Sequence, residues 1–248
     1  GTDSSTVCGM LGQITGAPTR AYSIGFEAEG YDEMEYARIA ARHFGCDHHE
    51  YYVTPADLAA SLPALGRARD AGLDVTAGIS IHHLTLNEYD VGGYRTFFRF
   101  TPPLRSEDDR LAMIEAVAGG VIDIIASFHT PQDEESKRLP FAEAAPGAVG
   151  LQTLLPAAMR LYQQGGLSLP QLWRAMSLNP ARRLGLEAGR LGADAPADLV
   201  LFDPDAPFVL DRFTLLSKSK NTPFDGARMQ GRVHGTWVGG RQVFGGAA

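Results

Sequence analysis

The first 60 residues alternate between strand-like and helix-like patterns of apolar positions. Residues 19–26 (TRAYSIGF) alternate apolar with polar side chains and predict a strand. Residues 31–45 predict a helix, and residues 49–53 (HEYYV) predict a second strand. Three apolar residues are expected on the buried side of this helix: Met34, Ile39 and Phe44. The order strand, helix, strand indicates a parallel α/β unit.

From about residue 63 the chain continues with further α/β elements. Residues 74–80 (DVTAGIS) and 121–127 (VIDIIAS) predict strands, and the second is apolar almost throughout. Such a run is typical of a strand buried on both faces of a parallel sheet. A helix is expected to begin after Ser106, with Asp109 at the capping-box position. Further helices are expected over about 150–163 and after Ser168 and Asn179.

The tail changes character at about residue 188, where short strand-like runs replace the helices. Residues 231–244 (GRVHGTWVGGRQVF) predict a hairpin with Gly239 and Gly240 at its turn. These patterns divide the chain into three parts: an α/β fragment over 1–62, a second α/β region over 63–187, and a small β module over 188–248.

Composition limits the possible functions. The chain has 248 residues, is 44% hydrophobic and carries a formal net charge of −7, which disfavours a nucleic-acid-binding protein. The two cysteines, Cys8 and Cys46, form no CxxC pair, so neither a disulfide framework nor a zinc knuckle is expected. The sequence predicts no signal peptide and no membrane span, and we therefore expect a cytoplasmic location.

The histidines form no recognisable metal-binding pattern. His48 and His49 are adjacent, as are His82 and His83 at the expected end of the strand over 74–80. Adjacent residues on a strand point to opposite faces, so at most one of His82 and His83 could bind a given ion, and His48 and His49 are expected to be structural. The sequence contains no HxH motif, which would place two imidazoles on one side of a strand. The sequence therefore predicts no metal site.

The chain begins with GTDSST, which places an acid and hydroxyl groups before a helix. This pattern suits either a helix N-cap or a phosphate site. Residues 1–62 resemble the synthetase domain of glutamine-dependent asparagine synthetases, through GTDSSTV and SIGFEAEGYDEMEYARIAARHFGCDHHEYYVTPAD. The resemblance implies that four residues are the remnant of a pyrophosphate loop: Gly1, Asp3, Ser4 and Ser5. It also implies a fragment of a parallel α/β nucleotide-binding fold.

Residues from about 64 to 245 resemble the C-terminal half of dihydroorotases, which are members of the amidohydrolase superfamily. The motifs that carry the resemblance are VTAGISIHHLTLNE, PPLRSEDDR, IDIIASFHTPQDEESKRLPF, APADLVLFDPDAPFV and SKSKNTPFDG. The HTPQDEESKRLPF stretch is most similar to the non-catalytic dihydroorotase-like subunits that assemble with aspartate transcarbamoylase. The resemblance implies part of a (β/α) barrel with a small C-terminal β module.

The resemblance also implies which residues would form a site. In active members the last barrel strand ends in Asp-His, and this Asp accepts a proton from the metal-bound hydroxide. Here Phe128 replaces that Asp and precedes His129. Three further positions correspond to substrate-contacting ones, two of them with changed residues: Thr101, Gln132 and Gly147. The resemblance thus implies no intact catalytic set and no resident cofactor.

The sequence leaves several functions open. The first is a catalytically incomplete dihydroorotase-like protein. Such a protein could assemble with aspartate transcarbamoylase or form oligomers of its own. The others are an active zinc cyclic-amide hydrolase, an ATP-dependent adenylating fragment, and a polypeptide without function. Because residues 62–65 contain no linker-like sequence, we interpret the chain as a chimeric or misassembled reading frame. A partial barrel also predicts a marginal fold or one that a partner completes.

Overall fold

The computed structural model describes residues 20–26, 34–53, 63 and 66–245. The chain divides into two compact units, residues 1–67 and 68–248. In the first unit, β1 (Arg20–Phe26) and β2 (Asp47–Val53) are parallel, and their register runs from Arg20 opposite Asp47 to Phe26 opposite Val53. The helix α1 (Met34–Phe44) lies between them in sequence. The predicted order of strand, helix and strand is confirmed.

The buried side of α1 differs from the prediction. Met34 is buried as expected, but Ile39 is 54% exposed and Phe44 is 40% exposed. Ala41, which lies about two turns after Met34, is buried with it. The buried face of α1 therefore follows the line from Met34 to Ala41, and the assignment of Ile39 and Phe44 to it was wrong. An ion pair between Arg38 and Glu50 joins α1 to β2, with a distance of 2.6 Å.

The second unit contains short helices around a two-stranded parallel sheet. Its strands are β3 (Gly78–Ser80) and β4 (Ile124–Ala126). Its helices are α2 (Ile81–Thr85), α3 (Glu88–Val91), α4 (Glu107–Ala118), α5 (Glu134–Arg138), α6 (Leu154–Gln163), α7 (Leu169–Trp173) and α8 (Asn179–Arg183). A π-helical turn (Arg174–Leu178) connects α7 to α8, and 3₁₀ turns occupy Thr96–Phe98 and Arg212–Thr214.

Both strands of the parallel sheet are shorter than predicted. The backbone N–H groups of Val121 and Ile122 donate to the Ala116 carbonyl, so these residues close the end of α4 instead of extending β4. Phe128 has a φ of 43°, which is incompatible with a strand and follows the end of β4. The predicted cap of α4 is confirmed, because the Ser106 side chain accepts from the Asp109 N–H.

The C-terminal residues form an antiparallel sheet in the order β5 (Leu199–Val209), β6 (Arg228–Val238), β7 (Arg241–Phe244). The predicted hairpin is confirmed, with Gly239 and Gly240 between β6 and β7 at positive φ. Gly231 brings β6 against α6, since a Cβ there would lie 2.6 Å from the Met159 Cγ. The sheet therefore packs closely on the helices of the same unit.

The core of the second unit surrounds the parallel sheet. Its fully buried side chains include Ile81, Leu84, Ile125, Met159, Leu161, Leu172 and Phe224. This core fixes the carboxyl ends of β3 and β4, where the candidate residues follow. Within the described ranges, no helix combines the length and the apolar character that crossing a bilayer requires.

Candidate functional site

The candidate site lies where β3 and β4 end. These strands run in parallel with Ser80 opposite Ala126, so the residues that follow them emerge at the same edge of the sheet. His82 follows β3 by two residues, and Phe128 and His129 follow β4. The carboxyl ends of parallel strands are where α/β proteins carry their ligand sites.

Phe128 occupies the position at which a carboxylate was expected from the resemblance. Its backbone lies in the left-handed region, with a φ of 43°, and its side chain is 53% exposed. A non-glycine residue at this φ costs free energy and persists only when the surrounding structure holds it. A phenyl ring has no group that accepts a proton or binds a metal ion. Phe128 therefore presents a hydrocarbon surface at the end of β4.

His129 acts as a structural acceptor in this fold. It forms an isolated parallel bridge with Ala148. Its Nδ1 accepts hydrogen bonds from the Gly150 N–H at 3.0 Å and the Leu151 N–H at 3.3 Å. In this arrangement the neutral imidazole carries its proton on Nε2. The ring therefore fastens residues 148–151 beside β4, and its Nδ1 lone pair is occupied.

A cavity of about 450 Å³ opens beside His129. Its walls are mostly apolar and include Leu151, Leu215 and Leu216. Leu151 and Leu216 are 66% and 84% exposed. Apart from the His129 ring, the polar side chains at this cavity are Gln152, Thr153 and Ser217. The described lining contains no carboxylate that could activate a water molecule.

Two of the three predicted substrate-contacting residues are brought together, and Asn221 joins them. Asn221 is 3% exposed. Its Oδ1 accepts from the Gln132 N–H at 3.2 Å, and its Nδ2 donates to the carbonyls of Thr130 and Gly147 at 3.0 and 3.2 Å. Thr101 is exposed and forms no described hydrogen bond with Gln132 or Gly147.

Sequence reasoning did not assign a role to Asn221, although it lies in the quoted KNTPF motif. A buried amide with three backbone partners is a structural cross-link. Gly147 completes this arrangement with a φ of 104°, and a Cβ there would lie 2.6 Å from the Thr130 Cβ. The side chain of Gln132 donates to the Pro146 carbonyl at 3.0 Å. These residues therefore hold two loops together.

His82 and His83 follow β3 as predicted, but they lie on α2, so the opposite orientation of adjacent strand residues does not apply to them. Ser80 is the N-cap of this helix, since its Oγ accepts a hydrogen bond from the His82 N–H. The strand β3 therefore ends at Ser80. The His82 ring is fully buried, with ring centroids 4.9 Å from Phe100 and 5.9 Å from Phe224. Burial, with a smaller contribution from His83, lowers the pKa of His82 to about 3.

The environment of His83 is also structural. Its Nε2 lies 2.9 Å from the Pro102 carbonyl, and burial lowers its pKa. The other adjacent pair lies on β2, where His48 is 3.5 Å from Glu50 and His49 is 3.2 Å from Asp47. In the part of the chain that the structure describes, neither pair shares a common point with a third possible ligand.

A zinc ion does not fit the described residues. Zinc sites in proteins use three or four nitrogen, sulfur or oxygen ligands around one point. Within residues 20–26, 34–53, 63 and 66–245, no group of three His, Cys, Asp or Glu side chains has that arrangement. The predicted pyrophosphate-loop residues lie outside the described residues: Gly1, Asp3, Ser4 and Ser5.

Comparison with sequence families places two matches on the chain. Residues 51–243 match the Amidohydrolase family, and residues 1–87 match Asparagine synthase. The two matched ranges overlap over 51–87.

Curated relatives include a dihydroorotase from Wolbachia sp. subsp. Drosophila simulans (strain wRi), 40% identical over 197 residues. That alignment covers 79% of this chain and 44% of the relative. A dihydroorotase from Desulforapulum autotrophicum is 39% identical over 232 residues, which cover 93% of this chain and 51% of the relative. The chain spans about half the length of the curated relatives that it matches.

Solved structures show the same fold. L-Hydantoinase from Arthrobacter aurescens has a TM-score of 0.72 and 27% identity, covering 86% of this chain and 48% of that one. Dihydropyrimidinase from Brevibacillus agri NCHU1002 has a TM-score of 0.69 and 19% identity, covering 98% and 55%. The predicted fold class, a partial barrel of the amidohydrolase type with a C-terminal β module after a parallel α/β fragment, is confirmed.

Proposed function

Because this chain belongs to the amidohydrolase family, we propose that it is a dihydroorotase-like protein of pyrimidine biosynthesis that does not itself hydrolyse a cyclic amide. The single observation that carries this proposal is Phe128 at the end of β4. An amide carbonyl is attacked by water only when a base or a metal ion activates that water. Phe128 supplies neither function at the position where the resemblance implies an aspartate.

The surroundings of Phe128 support the same proposal. His129 is the nearest ionisable side chain in sequence, and its Nδ1 already accepts two backbone hydrogen bonds. Four of the eight residues that line the neighbouring cavity are leucine or valine, and the other four are His129, Gln152, Thr153 and Ser217. Gln132 and Gly147 are engaged in holding two loops through Asn221. Each of these residues therefore has a structural task that requires no substrate.

A non-hydrolytic member of the family would act through binding. We propose that this protein assembles with aspartate transcarbamoylase, as the resemblance of HTPQDEESKRLPF to non-catalytic subunits suggests. The test is size-exclusion chromatography of the mixture at micromolar concentration, with each protein run alone as its control. A shared peak that elutes before both components is expected. Two unchanged peaks would contradict the assembly.

An active dihydroorotase is the second candidate, and the identity of about 40% to proteins of that name favours it. This function needs a zinc site, for which the described residues offer no cluster. Purified protein supplied with zinc and dihydroorotate distinguishes the two candidates, since only the second predicts turnover.

The match of residues 1–87 to Asparagine synthase supports a further proposal about the origin of the chain. We propose that two coding segments have been joined near residues 62–65, by recombination or by misassembly. Long-read sequencing across the codons for 55–75 tests this origin. An uninterrupted, expressed gene would eliminate misassembly and leave recombination. Titration with ATP and magnesium tests for an adenylating fragment, and we expect no binding.

A further inference from the structure

A second cavity, of about 400 Å³, is lined in part by Gln132 and Asn221, which belong to the loops beside β4, and most of its charged side chains are positive. Its walls come from the 3₁₀ turn at Thr96–Phe98, from α5 and from the segment over 212–221. Five cationic side chains line it: Lys137, Arg138, Arg212, Lys218 and Lys220. Two acidic side chains line it as well, Asp133 and Glu134. The cavity is therefore locally positive in a chain whose net charge is −7.

The lysines are concentrated in this one place. The chain contains three lysines, Lys137, Lys218 and Lys220, and all three line the cavity. A scattered set of solvated surface charges would not share one small cavity. Because like charges repel one another across a short distance, the cluster is favourable only when a negative charge offsets the repulsion between the lysines.

Lys137 is the most informative of the three. Its side chain is 4% exposed, and its Nζ donates to the carbonyls of Thr96 at 3.0 Å and Ala145 at 2.6 Å. An ammonium group has three donors, so one remains after these two bonds. Among the described residues, Lys137 forms no ion pair with a carboxylate. Burial, together with the positive charge of Arg99, lowers the pKa of Lys137 to about 8.

Lys220 repeats the same pattern. Its Nζ donates to the carbonyls of Leu215 at 2.6 Å and Ser217 at 2.8 Å, which again leaves one donor. The described residues provide no carboxylate partner for it either. The two acids of the cavity are engaged elsewhere, because Asp133 accepts from the Ser136 N–H and Glu134 accepts from Arg138. The charges of Lys137 and Lys220 are thus not neutralised from within the cavity wall.

Aromatic rings form another part of the wall. The guanidinium of Arg212 lies 5.4 Å from the Phe97 ring centre and 4.7 Å from that of Phe213. Asp225 lies 3.6 Å from the Arg212 Nε, which is buried and has no hydrogen-bond partner in the described structure. Phe213 is 69% exposed and offers an apolar surface at the cavity. The wall therefore combines ammonium donors with an aromatic face.

We propose that this cavity binds a small organic molecule through an oxyanion group, either a phosphate or a carboxylate. The oxyanion would accept hydrogen bonds from the remaining N–H donors of Lys137 and Lys220, and Lys218 would add a positive charge beside it. The organic part of the molecule would lie against the rings of Phe97 and Phe213. Lysine ammonium groups bind phosphate and carboxylate oxygens through charge-assisted hydrogen bonds. A volume of about 400 Å³ is within the range of small-molecule sites.

The test uses protein labelled with ¹³C at the lysine Cε, in which the three lysines give three side-chain signals. Inorganic phosphate and succinate are titrated separately, and sodium chloride is titrated at equal ionic strength. Saturable shifts of all three signals by phosphate or succinate are expected, and the anion that saturates first identifies the group. Shifts no larger than those caused by chloride would overturn the proposal.

Substitutions at two exposed residues distinguish binding at this cavity from a general effect of net charge. Lys218→Gln removes one charge of the cavity and should weaken anion binding about tenfold. Arg241→Gln removes an exposed charge on β7 that does not line the cavity, and it should leave the affinity unchanged. Equal weakening by both variants would mean that the anion responds only to net charge, which would overturn the site. The chromatography with transcarbamoylase is independent of this result.

Discussion

Acid should destabilise the second unit through His82. The folded protein holds this imidazole neutral, because its pKa is about 3, whereas an unfolded histidine titrates near 6.5. Between these two values the unfolded state binds the additional proton, so stability falls as the pH falls from about 6.5 toward 3. From about pH 7.5 to about pH 5 the loss from this one residue is about 2 kcal/mol. That value depends on the unfolded pKa and hardly on the folded one, provided that the folded pKa is well below 5.

The measurement compares wild-type protein with His82→Met in urea unfolding at these two pH values. Trp173 and Trp237 are the two tryptophans of the chain, and both lie in the second unit, so their fluorescence reports on its unfolding. The variant should lose about 2 kcal/mol less stability than the wild type on acidification. His234→Gln replaces an exposed histidine and should behave like the wild type. If His82→Met retained the full pH dependence, the assignment of a neutral, buried His82 would be refuted.

Two further predictions concern the loops beside β4, and the same urea unfolding measures both. Asn221→Ala removes three part-buried hydrogen bonds and leaves the Gln132 N–H and the carbonyls of Thr130 and Gly147 without this partner, so it should cost about 3 kcal/mol. Asn87→Ala removes a helix cap and the hydrogen bond from Asn87 Nδ2 to Glu107, and it should cost about 1–2 kcal/mol; a loss equal to that of Asn221→Ala would contradict a cross-linking role of Asn221. Gly147→Ala should cost about 2 kcal/mol or more, because its φ is 104° and the new Cβ would meet Thr130. Gly226→Ala, with a φ of 73° and open space around it, should cost about 1 kcal/mol, and a cost equal to that of Gly147→Ala would contradict the steric argument.

The sequence predicted the kinds of elements better than their limits. The strand over 121–127 is apolar, yet only Ile124–Ala126 pair as β4. Local patterns do not reveal that the N–H groups of Val121 and Ile122 are used to close α4, because that choice depends on how α4 ends. In the same way, the apolar positions of α1 do not by themselves show that Met34 and Ala41 define its buried line.

The sequence also predicted only part of the candidate site. The placement of Phe128 and His129 after a parallel strand followed from the sequence. The roles of His82 and Asn221 depend on partners that are distant in sequence. The Phe224 ring stacks on the His82 ring, and the Thr130 carbonyl accepts a hydrogen bond from Asn221. The clustering of three lysines around one cavity is likewise a tertiary property, because Lys137 and Lys220 are far apart in sequence.

We propose that this chain has the fold of a dihydroorotase relative without its hydrolytic centre. The most direct test of this proposal is one sample of purified protein, incubated with zinc, freed of unbound metal, and then assayed for bound zinc and for dihydroorotate turnover beside an active dihydroorotase. We expect substoichiometric zinc and turnover at the level of the buffer control, both for the wild type and for Phe128→Tyr. Stoichiometric zinc together with turnover by the wild-type chain would contradict the proposal.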